Sequence, residues 1–490
     1  MKNFNKGMLF LACLFSLNAQ AQNDIDALRY SKSTFGTTAR SMAMGGAFGA
    51  LGADLSVLSQ NPAGIAVYRK SEFSVSPMFN YRSASSDYLG QSTIDGRLNF
   101  GFSNFGVQFA RQIRNNSGWK NWNFGIGYNR INSFSGRSSF EAINNQNSLL
   151  DSYVEEVNGT DPDLIFDSPG LASEAYYVYL LDSFNGNQYY NALPNAGALQ
   201  QKSLRSRGSL GEWDISFGGN YNDKLFIGAT IGFTTLRYIE DSKYEEIDVT
   251  NMHDSIAGLD FASFELNQYL STTGNGINLK AGIIYRPADW VRLGAAFHTP
   301  TYYNLSDDYS SYLVANYTSG FSSTSRVLQG AFDYDLTTPL KAIGSVAFIF
   351  GNYGLISADY EYTDYTDARL NSRDYHFSDE NTTIDRKYNS ASNIRVGAEY
   401  KYNIFSFRLG GAYYGTPFQS GLNRKSEDQH QIYYTGGLGI RGKNTFMDVA
   451  YALGQSSEFY RPYGLSSEPV SGVVTKTSDH RIMFTVGVRW

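Results

Sequence analysis

The last eleven residues, His480-Arg-Ile-Met-Phe-Thr-Val-Gly-Val-Arg-Trp490, decide the fold. Their even positions are Ile482, Phe484, Val486, Val488 and Trp490, and their odd positions are Arg481, Met483, Thr485, Gly487 and Arg489. Successive residues of a strand point to opposite faces. One face of this strand is therefore wholly apolar, while the other carries two arginines. The same split recurs upstream. Trp213, Ile215, Phe217 and Tyr221 oppose Asp214, Ser216 and Asn220. Ile277, Leu279, Ile283 and Tyr285 oppose Asn278, Lys280 and Arg286, and Ile394, Val396, Ala398 and Tyr400 oppose Arg395, Glu399 and Lys401. In a soluble sandwich such an apolar face packs on a core. In a membrane barrel it meets lipid, and the polar face lines the lumen.

Connection lengths separate the two. The alternation predicts about fourteen strands, near 71–83, 97–112, 121–138, 209–222, 224–245, 275–287, 289–315, 323–350, 353–370, 384–402, 404–419, 429–442, 444–460 and 475–490. Short connections fall at Arg114–Lys120, Tyr221–Lys224, Pro287–Trp290, Gly351–Tyr353, Tyr402–Ile404 and Arg441–Asn444. Long ones fall near 84–96, 139–208, 246–274, 371–383 and 461–474. Short turns on one side and long loops on the other mark an outer-membrane barrel. Trp119, Trp122, Trp290, Tyr402 and Trp490 near strand ends suit an interfacial aromatic girdle. The expected fold is all-β: a transmembrane antiparallel β-barrel of about fourteen strands.

Composition agrees. The 490 residues include 37 Tyr, 33 Phe, 5 Trp and 48 Gly, with 42% hydrophobic and 18% charged residues. Apolar content is too low for a polytopic helical membrane protein, and aromatic content too high for a disordered chain. The net charge is −6, and the basic residues form no stripe of the kind a nucleic acid needs. Residues 1–21 read as a secretory signal peptide, with Lys2 and Lys6 before an apolar stretch Met8–Leu17 and a small-x-small site at Ala19-Gln20-Ala21. The single cysteine, Cys13, lies inside it, so the exported chain is expected to hold no disulfide, thiol nucleophile or thiolate metal site.

Two regions break the strand pattern. Residues 22–70, before the barrel of 71–490, are rich in Gly and Ala, as in Ala39-Arg-Ser-Met-Ala-Met-Gly-Gly-Ala47 and Asn61-Pro62-Ala63-Gly64. They read as a compact plug of short helices and turns. The long loop 139–208 holds two amphipathic stretches, Leu149–Val157 and Leu171–Leu181, and an apolar cluster of Tyr176, Tyr177, Tyr179, Leu180, Leu181 and Phe184. Residues 246–274 add Ile256, Phe261, Phe264 and Leu266. The clusters either pack the loops onto the rim or capture a ligand.

On these residues the chain resembles the FadL/TodX family of outer-membrane transport proteins for hydrophobic compounds. Ala39–Gly64, with Ala53-Asp54 followed by Asn61-Pro62-Ala63, is similar to the family's hatch. Leu293–Asp308, Thr338-Pro339-Leu340 through Asp359-Tyr-Glu-Tyr-Thr-Asp-Tyr365, Gly410–Pro417 and the terminal strand resemble its barrel. The resemblance implies a monomer in the outer membrane of a Gram-negative bacterium. It implies passive uptake of fatty acids or other hydrophobic molecules, by loop capture, hatch gating at Asn61–Gly64 and lateral release into lipid. Gly125 and Gly127 sit in the third strand, where the family has a kink, and a glycine within a strand can mark a bend. Related barrels also serve type IX secretion, so an interaction or secretion component is the alternative.

Other chemistry has little support. His253, His298, His376, His430 and His480 are far apart and show no metal-ligand spacing. No nucleophile elbow occurs, and no phosphate loop. No enzyme activity, cofactor or metal is expected. Charges on the polar faces, among them Asp214, Lys280, Asp359, Glu361, Arg395, Glu399, Arg408 and Arg481, are expected to pair with one another and with the plug.

Overall fold

The computed structural model describes residues 23–113, 118–167, 169–193, 197–249, 255–420 and 429–490. The expected signal segment and its cysteine lie outside them.

Fourteen antiparallel strands form a closed wall. In chain order they are β1 (Glu72–Tyr88), β2 (Gln91–Gln112), β3 (Trp119–Ser133, resuming as Gly136–Asn144), β4 (Ala198–Tyr221), β5 (Leu225–Asp248) and β6 (Leu259–Ala288). Next come β7 (Val291–His298 and Tyr302–Tyr317), β8 (Ser322–Thr324, Leu328–Thr337 and Lys341–Phe350) and β9 (Gly354–Asp364 and Arg369–Asn371). The circuit ends with β10 (Ser390–Tyr402), β11 (Phe405–Tyr414), β12 (Gln431–Arg441), β13 (Thr445–Tyr460) and β14 (Val473–Arg489). Each strand pairs with its chain neighbours, and β14 closes on β1 through pairs such as Val486 with Val75. The closed circuit leaves neither the first nor the last strand as a free edge, which lipid requires because it offers the backbone no hydrogen bonds.

The alternation of the terminal strand is visible in its burial. Ile482, Val486, Val488 and Trp490 are exposed, while Arg481, Met483 and Thr485 are buried. Outward Trp213, Ile215, Phe217, Ile227, Ile231, Phe233, Leu279 and Ile283 continue the apolar band around the wall. No described helix is long and apolar enough to cross a membrane.

The long connections are shorter than the alternation predicts. The expected loop 84–96 is a two-residue turn at Leu89-Gly90, both with positive φ (47° and 86°), as tight hairpins need. β4 starts at Ala198 rather than near 209, and β6 at Leu259 rather than near 275. On the long-loop side the strands rise past the apolar band. Many of their outward residues there are polar, as Ser85 and Asp87 of β1 and Gln201 and Ser203 of β4 are, so the alternation fades while the strand continues. The reverse holds at 384–387, which belongs to helix Ser378–Lys387 rather than to β10.

Residues 24–68 enter the barrel. They form α1 (Asp24–Ser31), α2 (Ala39–Ala43), α3 (Val57–Gln60) and a 3-10 turn, Pro62–Val67. Their apolar side chains Met44, Phe48, Leu51, Leu55, Leu58 and Ile65 are fully or almost fully buried. These clusters lie inside the wall, not between two sheets. The largest apolar cluster caps the long-loop end, where helices α4 (Leu149–Val157) and α5 (Leu171–Tyr177) pack on Phe261, Phe264 and Leu313.

Candidate functional site

The plug is seated by its Asn61–Gly64 segment. Asn61 Oδ1 accepts from the Ala63 N–H at 3.1 Å, capping the 3-10 turn. Pro62 takes the first turn position, where its missing N–H costs nothing. Asn61 Nδ2 donates to the Gly49 carbonyl at 2.6 Å and to Ile283 O of β6 at 3.4 Å. One amide thus ties two turns of the plug to the wall. The wall answers with glycines. Gly218 and Gly228 pair across β4 and β5 and receive Ile65 and Pro62.

Gly125 and Gly127 belong to this seat. A methyl group at Gly125 would stand 2.8 Å from Ile65 Cδ1, and one at Gly127 would stand 3.1 Å from Leu58 Cδ1. Both residues lie in an unbroken ladder. Gly125 pairs with Gln108 and Ser216, and Gly127 with Gly106 and Asp214. The ladder shows no break at these glycines, which leave room for the plug.

The break lies higher on β3. Among the described residues, the ladder between β2 and β3 runs no higher than Asn104 and Asn129. Above that, Gln91–Phe102 of β2 pair with β1 alone. β3 is interrupted at Phe134-Ser135, and its second arm pairs with β4. Phe134 turns inward onto Tyr30 of α1 and Tyr238 of β5, at ring distances of 5.9 and 5.4 Å. Its N–H donates to Gly208 O at 3.0 Å, and Gly208 holds φ 120°, which demands glycine. The sequence does carry a signal for this break, the turn-rich run Asn132-Ser-Phe-Ser-Gly136.

The inside of the break is closed by the plug. The Thr34 N–H and hydroxyl donate to Ile131 O at 2.9 and 3.0 Å, and Asn132 Nδ2 donates to Lys32 O at 3.3 Å. The Ile131 carbonyl is thus satisfied by the plug. Behind it lies a luminal cavity of about 100 Å³, lined by Thr34, Ile131, Lys280, His298, Lys341 and Glu361 among others. The outside of the break is apolar. Ile94, Leu98, Phe100 and Phe102 of β2 are 75, 65, 54 and 46% exposed.

The luminal charges pair as expected. Lys280 bridges Glu212 and Asp214, and Arg395 meets Glu361 at 3.0 Å. Several reach the plug. Arg40 of α2 meets Glu399 at 3.1 Å, and Arg408 holds the same carboxylate at 2.6 Å. Asp359 accepts from the backbone of Phe48 and Gly49 and from Gln60 Nε2, at 3.1, 3.0 and 2.8 Å. His298 Nε2 is 2.8 Å from Gln60 O. Among the described residues no group of His, Cys, Asp and Glu is placed to hold a metal ion.

The loop cluster divides. Leu180 and Leu181 are buried in the cap core, and Tyr176 packs against it. Tyr177, Tyr179 and Phe184 stay exposed at 47, 42 and 45%. Periodicity missed Arg40, Lys32–Thr34 and Phe134, because nothing in a single strand or turn tells what lies opposite it.

No sequence-family model matches the chain, and no curated protein matches it. Solved structures do. A Pseudomonas aeruginosa FadL homologue matches with TM-score 0.58 and 13% identity, over 94% of this chain and 99% of that one. The Pseudomonas putida toluene transporter TodX gives TM-score 0.52 and 15% identity, over 94 and 100%. The Ralstonia pickettii toluene transporter TbuX gives 0.52 and 16%, over 94 and 100%. At such identities the likeness is one of fold. With its closed fourteen-stranded wall and plug-filled lumen, the chain has the fold of the FadL/TodX outer-membrane barrels.

Proposed function

We propose that the protein carries hydrophobic compounds, such as long-chain fatty acids, passively across the outer face of an outer membrane. It acts as a conduit rather than an enzyme. The break between β2 and β3 is the observation that carries this reading. It puts an interruption of the wall at the level of an apolar outer surface, with Lys32–Thr34 of the plug closing its inner side. An apolar molecule gains about 25 cal/mol per Å² on leaving water, so its downhill exit is sideways into lipid. In this scheme the exposed Tyr177, Tyr179 and Phe184 collect the molecule from outside. A shift of the plug then frees Ile131 and opens the break. The solved neighbours support the reading, since two of them are named as toluene transporters.

Uptake of a labelled fatty acid by cells with and without the protein is the first test. Faster uptake with the protein is expected, and faster still when residues 24–36 are deleted. Equal uptake in all three would refute the proposal. The exposed loop aromatics also favour a second reading, a protein-binding or secretion component. Purification with a bound protein partner and unchanged fatty-acid uptake would select it.

A further inference from the structure

Five arginines gather at the long-loop half of the wall break. They are Arg82 on β1, Arg97 on β2, Arg137 on the second arm of β3, and Arg205 and Arg207 on β4. The ladder sets Arg82 directly opposite Arg97, and Arg137 directly opposite Arg205. Like charges directly opposite each other weaken a sheet. Arg97 lies within the electrostatic reach of Arg205, Arg137 and Arg207. Its Nη1 spans the break to donate to Ser206 O of β4 at 3.1 Å.

The acids nearby are too few. Asp95 is 3.9 Å from Arg137, Asp241 is 3.6 Å from Arg207, and Asp479 is 3.8 Å from Arg82. Asp479 is already held by Arg481 at 2.6 Å. Among the described residues, Arg97 and Arg205 have no carboxylate within 4.0 Å. The Nε atoms of Arg82 and Arg207 are buried without an acceptor. The cluster is nevertheless reachable: the side chains of Arg137 and Arg207 are 47 and 42% exposed.

Guanidinium groups bind carboxylate and phosphate through paired charge-assisted hydrogen bonds. Beside the cluster, Leu98, Phe100 and Phe102 offer an exposed apolar strip on the outer face of β2. We propose that these arginines seat the anionic headgroup of an amphiphile whose acyl chain lies along that strip. The head is either the carboxylate of a departing cargo molecule or the phosphate of a resident lipid. The carboxylate version rests on the transport reading above; the seat itself does not.

The test uses the full chain in lipid nanodiscs, with R97Q/R205Q and the charge-keeping R97K/R205K. Binding of palmitate is compared with that of its methyl ester, and bound lipid phosphate is read by native mass spectrometry. Uptake of a neutral hydrocarbon is followed separately. A drop of about tenfold in palmitate affinity for the glutamine variant, with the ester unchanged and the lysine variant restored, establishes a carboxylate seat. Loss of bound lipid phosphate with palmitate affinity kept establishes a lipid seat. Unchanged binding of both, or equal loss of acid and ester, overturns the proposal. Absent hydrocarbon uptake by the unaltered protein would count against the transport reading alone.

Discussion

A methyl group at Gly218 would stand 2.6 Å from Ile65 Cγ2 and 2.9 Å from the Ile227 carbonyl oxygen. Neither atom is the free end of a flexible side chain, so the plug or the wall must yield. Overpacking of this kind costs about 1–3 kcal/mol. Gly218→Ala is therefore expected to lower the thermal midpoint of the barrel, read by its heat-modifiable mobility on gels. Gly344→Ala, with open space around it, is the control and should change stability by no more than about 0.5 kcal/mol. Arg40 gives a second prediction. Its side chain is 11% exposed and holds Glu399 from the plug side. Arg40→Met leaves Glu399 with Arg408, so the wall keeps its pair while the plug loses one of its ties. The expected result is faster proteolysis within residues 24–68 with the barrel resistant. Unchanged proteolysis would mean that the glycine seat and the Asp359 and Asn61 ties retain the plug without Arg40.

At the scale of elements, the loop cap carries a pH-sensitive tie. Glu155 on α4 accepts from the backbone N–H groups of Ser466 and Ser467, at 2.7 and 3.1 Å, and from the Ser466 hydroxyl at 2.8 Å. These donors, the Ser466 N–H foremost, pull its carboxyl down to about 2. An unfolded glutamate titrates near 4.3. A depressed acid stabilises its tie above the unfolded value and loses that contribution as pH falls through the folded one. The tie is thus complete above about pH 4.3 and gone below about pH 2. Spin labels at Glu156→Cys and Pro469→Cys should separate across that window and stay apart at neutral pH in the Glu155→Gln variant. A separation that ignores pH would contradict the tie. The strands were legible for a related physical reason. Where lipid bathes the wall, as at Ile277–Tyr285 or Ile482–Trp490, every second residue must be apolar, and the pattern shows through. Above the membrane that demand lapses. Segments such as Ala84–Tyr88 and Ala198–Arg207 remain strands but read as loop. The plug was legible from its composition and the Asn61–Gly64 turn. Of the wall break only the turn-rich run Asn132–Gly136 shows in the sequence, since a missing ladder is a property of two strands.

For the whole molecule, a modest apolar content belongs to a wall with one greasy face and a lumen filled by a charged, hydrogen-bonded plug. Cargo leaving through the lumen floor would have to displace Asn61, Arg40 and Asp359 contacts together. Cargo leaving through the side has the Lys32–Thr34 ties and the Arg97 bond to Ser206 O to disturb. The lateral break is therefore the central claim, and it can be locked. Cys13 is the chain's single cysteine, so thiols introduced at Phe102 and Arg130 on the two sides of the break can be joined by a cleavable bifunctional reagent. Fatty-acid uptake by vesicles holding this variant is the deciding measurement. The account predicts that crosslinking stops uptake and that cleaving the link restores it. Uptake that continues unchanged through a fully crosslinked wall would place the exit elsewhere and contradict it.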